Sequence, residues 1–217
     1  MITTDLINGI NADGVVMLIG AHSDDIEIGC GGTIRKLVAK NKNLTYYWIV
    51  LSANGLRQRE AHSSASSILS GSKNSKVMIM NFRNGFFPFV ASEIKEFFES
   101  LKELQAPDLI FTHFRDDRHQ DHRTVSELTW NTFRSNLILE YEIPKYDGEL
   151  GSPNVFVTLT NDELNAKQAH LYKHFTSQHN KQWFTHNTFK SLCRIRGIEC
   201  NSPTGFAEAF HGRKILL

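Results

Sequence analysis

Short apolar runs recur along the chain, each closed by a polar turn and followed by a stretch of helical spacing. Val15 to Ile19 is the first run and reads as a buried strand; Leu44 to Leu51, rich in β-branched and aromatic residues, is the second. Val77 to Met80, Leu109 to Phe111, Leu137 to Tyr141 and Val155 to Leu159 follow. Between and after them lie the predicted helices: Thr33 to Asn41, Arg57 to Leu69 (ending near Gly71), Ala91 to Leu104, Thr124 to Ser135, Asp162 to His174 and Thr188 to Ile195. In the third of these, Ile94, Phe97, Phe98 and Leu101 share one face. Asn84-Gly85 marks a turn, and Ser52 to Gly55 and Tyr146 to Pro153 read as loops. Residues 1–13 form a polar lead-in, and a tail bearing Gly, Pro and Cys follows Ile195. Strands alternate with helices at least to residue 140, which predicts an α/β fold with a parallel sheet and right-handed crossovers. No repeat, linker composition or low-complexity tract divides the 217 residues, so a single domain over 1–217 is expected.

Two polar clusters interrupt this pattern, both at strand ends. After Ile19 come Gly20-Ala21-His22-Ser23-Asp24-Asp25-Ile26-Glu27 and then the glycine-rich Gly29-Cys30-Gly31-Gly32. After Phe111 come Thr112-His113-Phe114-Arg115-Asp116-Asp117-Arg118-His119-Gln120-Asp121-His122-Arg123. In open α/β sheets, ligands bind in the crevice outside the carboxyl ends of the strands. Two such clusters on one sheet can meet across that crevice.

His22 and Asp25, three apart on a turn, can converge on one metal ion, with Asp24 facing another way and free for proton transfer. A catalytic zinc typically takes three protein ligands and keeps a position for water; His119 and His122 are the candidates for the third. If His122 binds the metal, His119 lies one helical turn away, facing the same cavity. Asp121 can then hold the His119 imidazole in one tautomer. Asp24 would serve as general base, and a protonated His119 would stabilise an oxyanion. These are the parts of an amide hydrolase.

Plainer readings stand beside each of these. Asp24 and Asp25 can form an Asx turn and a helix N-cap, and His119 or His122 can be a solvated loop histidine. Arg115, Asp116, Asp117 and Arg118 can pair with one another or face water. Arg57 can pair with Glu60 on a helix surface, or reach the crevice from the start of the helix after the second strand. Cys30 reads as a packed thiol at a helix start. His62, His170, His174, His179, His186 and His211 show no ligand spacing.

Hydrophobic residues make up 41% of the chain and charged ones 22%, values typical of globular proteins. A net charge of +1 argues against a nucleic-acid partner held by bulk electrostatics and leaves anionic small molecules open. The three cysteines, Cys30, Cys193 and Cys200, are odd in number and form no Cys-x-x-Cys pair, which fits a reducing compartment. The N-terminus lacks the basic region of a secretory signal, and no apolar run approaches the roughly 20 residues of a membrane span. A cytoplasmic chain is expected; a homo-oligomer is compatible with the sequence.

Together the clusters resemble the PIG-L/LmbE-like N-acetylglucosaminyl deacetylases. The family's Ala-His-Pro-Asp-Asp motif is similar to Ala21-His22-Ser23-Asp24-Asp25, and its His-x-Asp-His motif to His119-Gln120-Asp121-His122. The resemblance implies a Rossmann-like, mostly parallel sheet and zinc held by His22, Asp25 and His122, another divalent ion such as Fe2+ being the alternative. It implies Asp24 as general base, His119 backed by Asp121 on the oxyanion side, and an N-acetylated amino-sugar conjugate as substrate. Arg57-x-x-Glu60 resembles an Arg-x-x-Glu whose arginine contacts substrate in the family. Lys167 through Ser177-Gln178 resembles its late Lys…Ser-Gln helix, and Arg196-Gly197 and Ala207-Glu208-Ala209-Phe210 its C-terminal signature. Ser23 departs from the family's proline, and Ser52-Ala53-Asn54-Gly55 lacks the Glu often found in that loop. A rival reading is a nucleotide-binding oxidoreductase, from Gly29-x-Gly31-Gly32 after a strand. That spacing fails Gly-x-Gly-x-x-Gly, and no acid ends the second strand near Leu51. A non-catalytic metal- or sugar-binding module is the other rival, and a base and an acid in the same site argue against it.

Overall fold

A computed structural model of the chain describes residue 10 and residues 13–215. The lead-in expected over residues 1–13 lies outside the described residues except for Ile10 and Asp13. Seven strands form one sheet: β1 (Val15–His22), β2 (Thr45–Ser52), β3 (Asn74–Ile79), β4 (Leu109–His113), β5 (Leu137–Tyr141), β6 (Val155–Leu159) and β7 (Phe206–Gly212). They lie in the order β3-β2-β1-β4-β5-β7-β6. The first five run parallel, and β7 is antiparallel to both its neighbours. The helices are α1 (Asp25–Lys40), α2 (Gly55–Leu69), α3 (Ala91–Ser100), α4 (Gln120–Thr132), α5 (Asn161–His174) and α6 (His186–Glu199). The mostly parallel α/β sheet flanked by helices is the expected architecture. No helix among the described residues is long and apolar enough to cross a membrane.

Every residue of the central strand β1 is buried, as both faces of a parallel sheet are covered. Val16 and Leu18 pack on one face with Leu37 of α1, Ala65 of α2, Leu171 of α5 and Phe189 of α6. Val15, Met17, Ile19 and Ala21 point the other way, toward Ile94 and Phe98 of α3 and Val125 of α4. The chain leaves β1 for β2 on one side and returns to β4 on the other, so the winding reverses between β1 and β4. Their ladder runs from Val16–Leu109 to Leu18–Phe111. Beyond it the two carboxyl ends carry the two polar clusters, at the position where such sheets open a crevice.

Two features depart from the sequence expectation. Helix α1 starts at Asp25, not Thr33, so the glycine-rich segment is itself helical. Gly29 is needed for close packing: a Cβ there would lie 2.3 Å from Tyr141 Cδ2. The helix then breaks at Cys30, whose φ of −142° and ψ of 16° are non-helical. Such a break frees backbone groups that need partners. Lys167 donates to the Ile28 carbonyl at 2.7 Å. Glu208 accepts the Gly32 and Thr33 amides at 2.9 and 2.6 Å, and the Lys167–Glu208 pair itself closes at 2.5 Å. The second departure is β7, read from sequence as tail. Glu208 interrupts the apolar pattern of that strand, and its burial makes sense only once Lys167 and the α1 break are in view.

Lys167→Met leaves Glu208 buried without its cation. Breaking a buried pair in this way typically costs about 3–5 kcal/mol, and urea unfolding should show a loss of that size. An effect within the roughly 1 kcal/mol of a surface pair would contradict this account of the α1 break.

Candidate active site

The strand–helix junction after β1 supplies the first half of the site. His22 ends the strand, Asp24 occupies the cap position of α1, and Asp25 is its first residue, where the helix dipole favours an acid. Asp25 Oδ2 accepts the His22 backbone amide at 2.7 Å, which fixes its carboxylate under the turn. The second half comes from the loop after β4 and the start of α4, which brings His122 over the same carboxylate. His22 Nδ1 lies 3.2 Å from Asp25 Oδ2 and 3.1 Å from His122 Nε2, and His122 Nε2 lies 3.6 Å from Asp25 Oδ2. Ligand bonds of about 2.0–2.1 Å in tetrahedral array put ligand atoms about 3.3 Å apart, so this triangle can hold a divalent ion.

Hydrogen-bond partners set both imidazoles for that task. His122 Nδ1 lies 2.9 Å from Asp117 Oδ2, so the hydrogen sits on Nδ1 and the Nε2 lone pair faces the triangle. His22 Nε2 lies 3.2 Å from Asp121 Oδ2, so in the neutral form its Nδ1 lone pair faces the same point. Asp121 is held in turn by the Gly85 and Phe87 amides at 2.6 and 3.1 Å. Carboxylates behind ligating histidines are a recurrent feature of metal sites. Burial, and then the adjacent His113, pushes the His122 imidazole down to about 3, so it is a neutral ligand at physiological pH. Burial opposes a charge on His22, but Asp25 and Asp121 outweigh it and push the imidazole up to about 9; the cluster attracts positive charge. Four buried carboxylates, Asp24, Asp25, Asp117 and Asp121, surround the imidazoles. Among the described residues, the cations paired with them are Arg57 and Lys145. Lys145 is shared with Glu149, and His22 is itself drawn toward its charged form by Asp25 and Asp121. Once His22 is neutral, the excess negative charge is of the sign a divalent ion would offset.

Asp24 stands beside the triangle, outside it. Its Oδ1 accepts Arg57 Nη2 at 3.1 Å, while its Oδ2 is buried without a hydrogen-bond partner. Burial first, and then the Asp25 charge, raises the Asp24 carboxyl above the usual range, as suits a proton acceptor. Arg57 also donates from Nε to Ser23 Oγ at 2.9 Å. It therefore reaches the crevice, and the alternative pairing with Glu60 is not formed. Glu60 instead accepts from Thr176 and Ser177. His119 caps α4, its Nδ1 accepting the Asp121 amide at 3.2 Å, and stacks on His122 at 4.6 Å between ring centroids. Burial, followed by the charge on His22, lowers its pKa. With Nδ1 accepting the Asp121 amide, the neutral imidazole carries its hydrogen on Nε2, and burial works against the protonated form that the oxyanion role was conditional on. The Asp121 carboxylate, expected behind the His119 ring, lies beneath His22.

Two neighbours escaped the sequence reading. Asp117 is not a surface ion-pair partner of Arg115 or Arg118: it is buried, and its other oxygen accepts the His119 amide at 2.7 Å. Its signal was its place in the turn, two residues before His119 and five before His122. His113 lies 3.2 Å from Asp25 and resembles a fourth ligand. Its Nε2, however, accepts the Ala21 amide at 2.9 Å, so that lone pair is already used. The glycine segment that suggested a nucleotide site offers no anion cradle, because Glu208 occupies its Gly32 and Thr33 amides.

These features define a candidate metal site at the switch point of an α/β sheet. Residues 17–133, more than half of the chain, match the PIG-L family described as GlcNAc-PI de-N-acetylase, and the chain belongs to that family of deacetylases. YaiS of Escherichia coli (strain K12), called an uncharacterized deacetylase, is 26% identical over 179 residues, 78% of this chain and 95% of YaiS. The N,N'-diacetylchitobiose deacetylase of Pyrococcus horikoshii superposes with a TM-score of 0.69 at 18% identity, covering 96% of this chain and 89% of that one. The zinc-inhibited form of the teicoplanin deacetylase Orf2 gives 0.71 at 10% identity, covering 91% and 97%. At these identities the two structures show a shared fold.

Asp117→Asn should weaken a divalent ion held by His22, Asp25 and His122 about 10- to 100-fold, the usual effect of losing a carboxylate behind a ligating histidine. Competition with a chelator of known affinity measures it. Unchanged affinity would remove Asp117 from the site.

Proposed function

We propose that the chain is a single-domain, metal-dependent N-deacetylase that removes the acetyl group from an N-acetylglucosamine-type amino-sugar conjugate. The observation that carries this reading is the free, buried Oδ2 of Asp24 beside the His22–Asp25–His122 triangle. A pure binding site gains nothing from an unpaired carboxylate oxygen, whereas a hydrolase needs a proton acceptor there. The family description and the Pyrococcus neighbour's substrate support an amino sugar. Three buried, unpaired cysteines support a cytoplasmic setting.

A divalent ion in the triangle supplies Lewis-acid activation of water and of the amide carbonyl. Asp24 Oδ2 accepts the proton that the attacking water loses as its oxygen bonds to the carbonyl carbon. His119 donates from Nε2 to the carbonyl oxygen as negative charge develops on it. The C–N bond then breaks, Asp24 returns the proton to the departing amine, and acetate is left. Arg57 fixes Asp24 through Oδ1, so Oδ2 stays free, and its partly exposed guanidinium lies where substrate hydroxyls or an anionic group can reach it. Zinc is the proposed ion; the zinc-inhibited relative makes Fe2+ the comparison to run.

Acetate release from a panel of N-acetylglucosamine conjugates, with zinc- and Fe2+-loaded protein, tests the reading; no release from any member with either metal would sink it. Asp24→Asn should keep the metal and lose roughly 10²- to 10⁴-fold in rate, whereas Asp25→Ala should lose the metal. If Asp24→Asn sheds the ion and Asp25→Ala keeps it, the two roles are exchanged.

Arg57→Ala should lower kcat/KM by about tenfold or more, the size expected when a reacting group is misplaced, with metal content and Tm nearly unchanged. Untouched activity would return Arg57 to a surface role.

A further inference from the structure

Lys145, in the loop between β5 and β6, reaches the site. The ammonium of Lys145 is nearly buried and donates to Asp117 Oδ2 at 2.8 Å, to the Ile143 carbonyl at 3.2 Å and to Glu149 Oε1. The oxygen it takes on Asp117 is the one bonded to His122 Nδ1 at 2.9 Å. The other oxygen is already committed to the His119 amide at 2.7 Å. Asp117 thus has no oxygen that serves His122 alone.

We propose that Lys145 is a positioning residue that weakens the hold of the His22–Asp25–His122 site on its divalent ion and so keeps that ion the stronger Lewis acid. The inference rests on the metal-dependent reading above. A carboxylate behind a ligating imidazole strengthens the lone pair on the opposite nitrogen. Lys145 draws on the same oxygen and reduces that help. Its own charge, with two residues between it and the ion and shared with Glu149, opposes a dication in a dry setting where screening is weak. Both effects loosen binding, and both leave less electron density on the ion. Lys145 also ties down Ile143 and Glu149, beside the exposed Tyr146 and Leu150, so this ammonium links that loop to the metal ligands.

The test is competition for zinc against a chromogenic chelator, run on the full chain and on Lys145→Met and Lys145→Arg. Lys145→Met should bind zinc roughly tenfold more tightly, the lower end of what changing a ligand's hydrogen-bond environment produces, and should turn over more slowly. Lys145→Arg, which keeps the charge, should stay within about twofold of the parent. A merely structural lysine gives the opposite sign, since losing it loosens Asp117 and weakens zinc. If Lys145→Met does not fold, Lys145→Gln removes the charge and keeps a donor. Equal or weaker zinc binding in a folded, neutral variant overturns the proposal while leaving the site assignment intact. Failure of the parent to bind zinc or Fe2+, with His122→Ala indistinguishable from it, overturns the site assignment as well.

Discussion

Two carboxylates decide which way two imidazoles face, and the chemistry of the site depends on that choice. A neutral imidazole has one hydrogen and one lone pair, so fixing the hydrogen fixes the ligand atom. Asp117 takes the hydrogen of His122, and Asp121 takes that of His22. With His22 in its neutral, ligating form both lone pairs point at Asp25; without an ion, Asp25 and Asp121 draw His22 toward its protonated form. The carboxylates are themselves immobilised by backbone amides, Asp117 by His119 and Asp121 by Gly85 and Phe87. The site is therefore assembled outward from fixed main-chain donors, and the histidines follow. Buried charge is tolerable on Asp117 and Asp121 because each has three donors, whereas Asp24 keeps one free oxygen, which the reaction needs.

The same logic operates at the base of the site. Asp25 is the first residue of α1, so its direction depends on how that helix sits on the sheet. Gly29 lets the helix lie against Tyr141, and the break at Cys30 turns the remainder toward β6 and β7. Lys167 and Glu208 fill the gap in the helix ladder with charged groups that satisfy each other. A buried ion pair is seldom worth much for stability alone. Here it replaces backbone hydrogen bonds that the kink has removed, and it joins α1, α5 and β7 at one point. The late strand β7 thereby contributes to the placement of the first cluster, which lies nearly two hundred residues earlier in the chain.

The parts legible in the sequence were those governed by local pattern. Apolar runs such as Val15–Ile19 and Leu109–Phe111 mark the central strands, and the polar residues after them mark the strand ends. The grouping of His22, Asp25 and His122 follows from those positions together with the family resemblance. What stayed hidden depends on partners remote in sequence. Glu208 reads as a break in a strand until Lys167 is beside it. Asp117 reads as one member of a charged surface run until the turn buries it under His122. The charge state of His119 is open in the sequence; its burial disfavours the charged form, and its bond from the Asp121 amide sets the tautomer of the neutral ring. The start of α1 was missed because glycine is a poor helix former, and the requirement for glycine comes from Tyr141, a contact that local propensity does not contain.

Ser23 shows how a departure from a family pattern can be accommodated. Proline at this position would stiffen the turn between His22 and Asp24. Serine gives up that rigidity, and its hydroxyl accepts a hydrogen bond from Arg57 Nε. The same guanidinium holds Asp24 Oδ1 through Nη2. The turn is thus braced from α2 by two bonds of one planar group, a geometry that resists rotation as a single bond would not. That bracing has an electrostatic consequence as well. Burial and the Asp25 charge raise the Asp24 carboxyl, and Arg57 pulls it back. A carboxylate raised by a dry site and a neighbouring charge is a better proton acceptor than a free one, and the bound guanidinium limits how far it is raised.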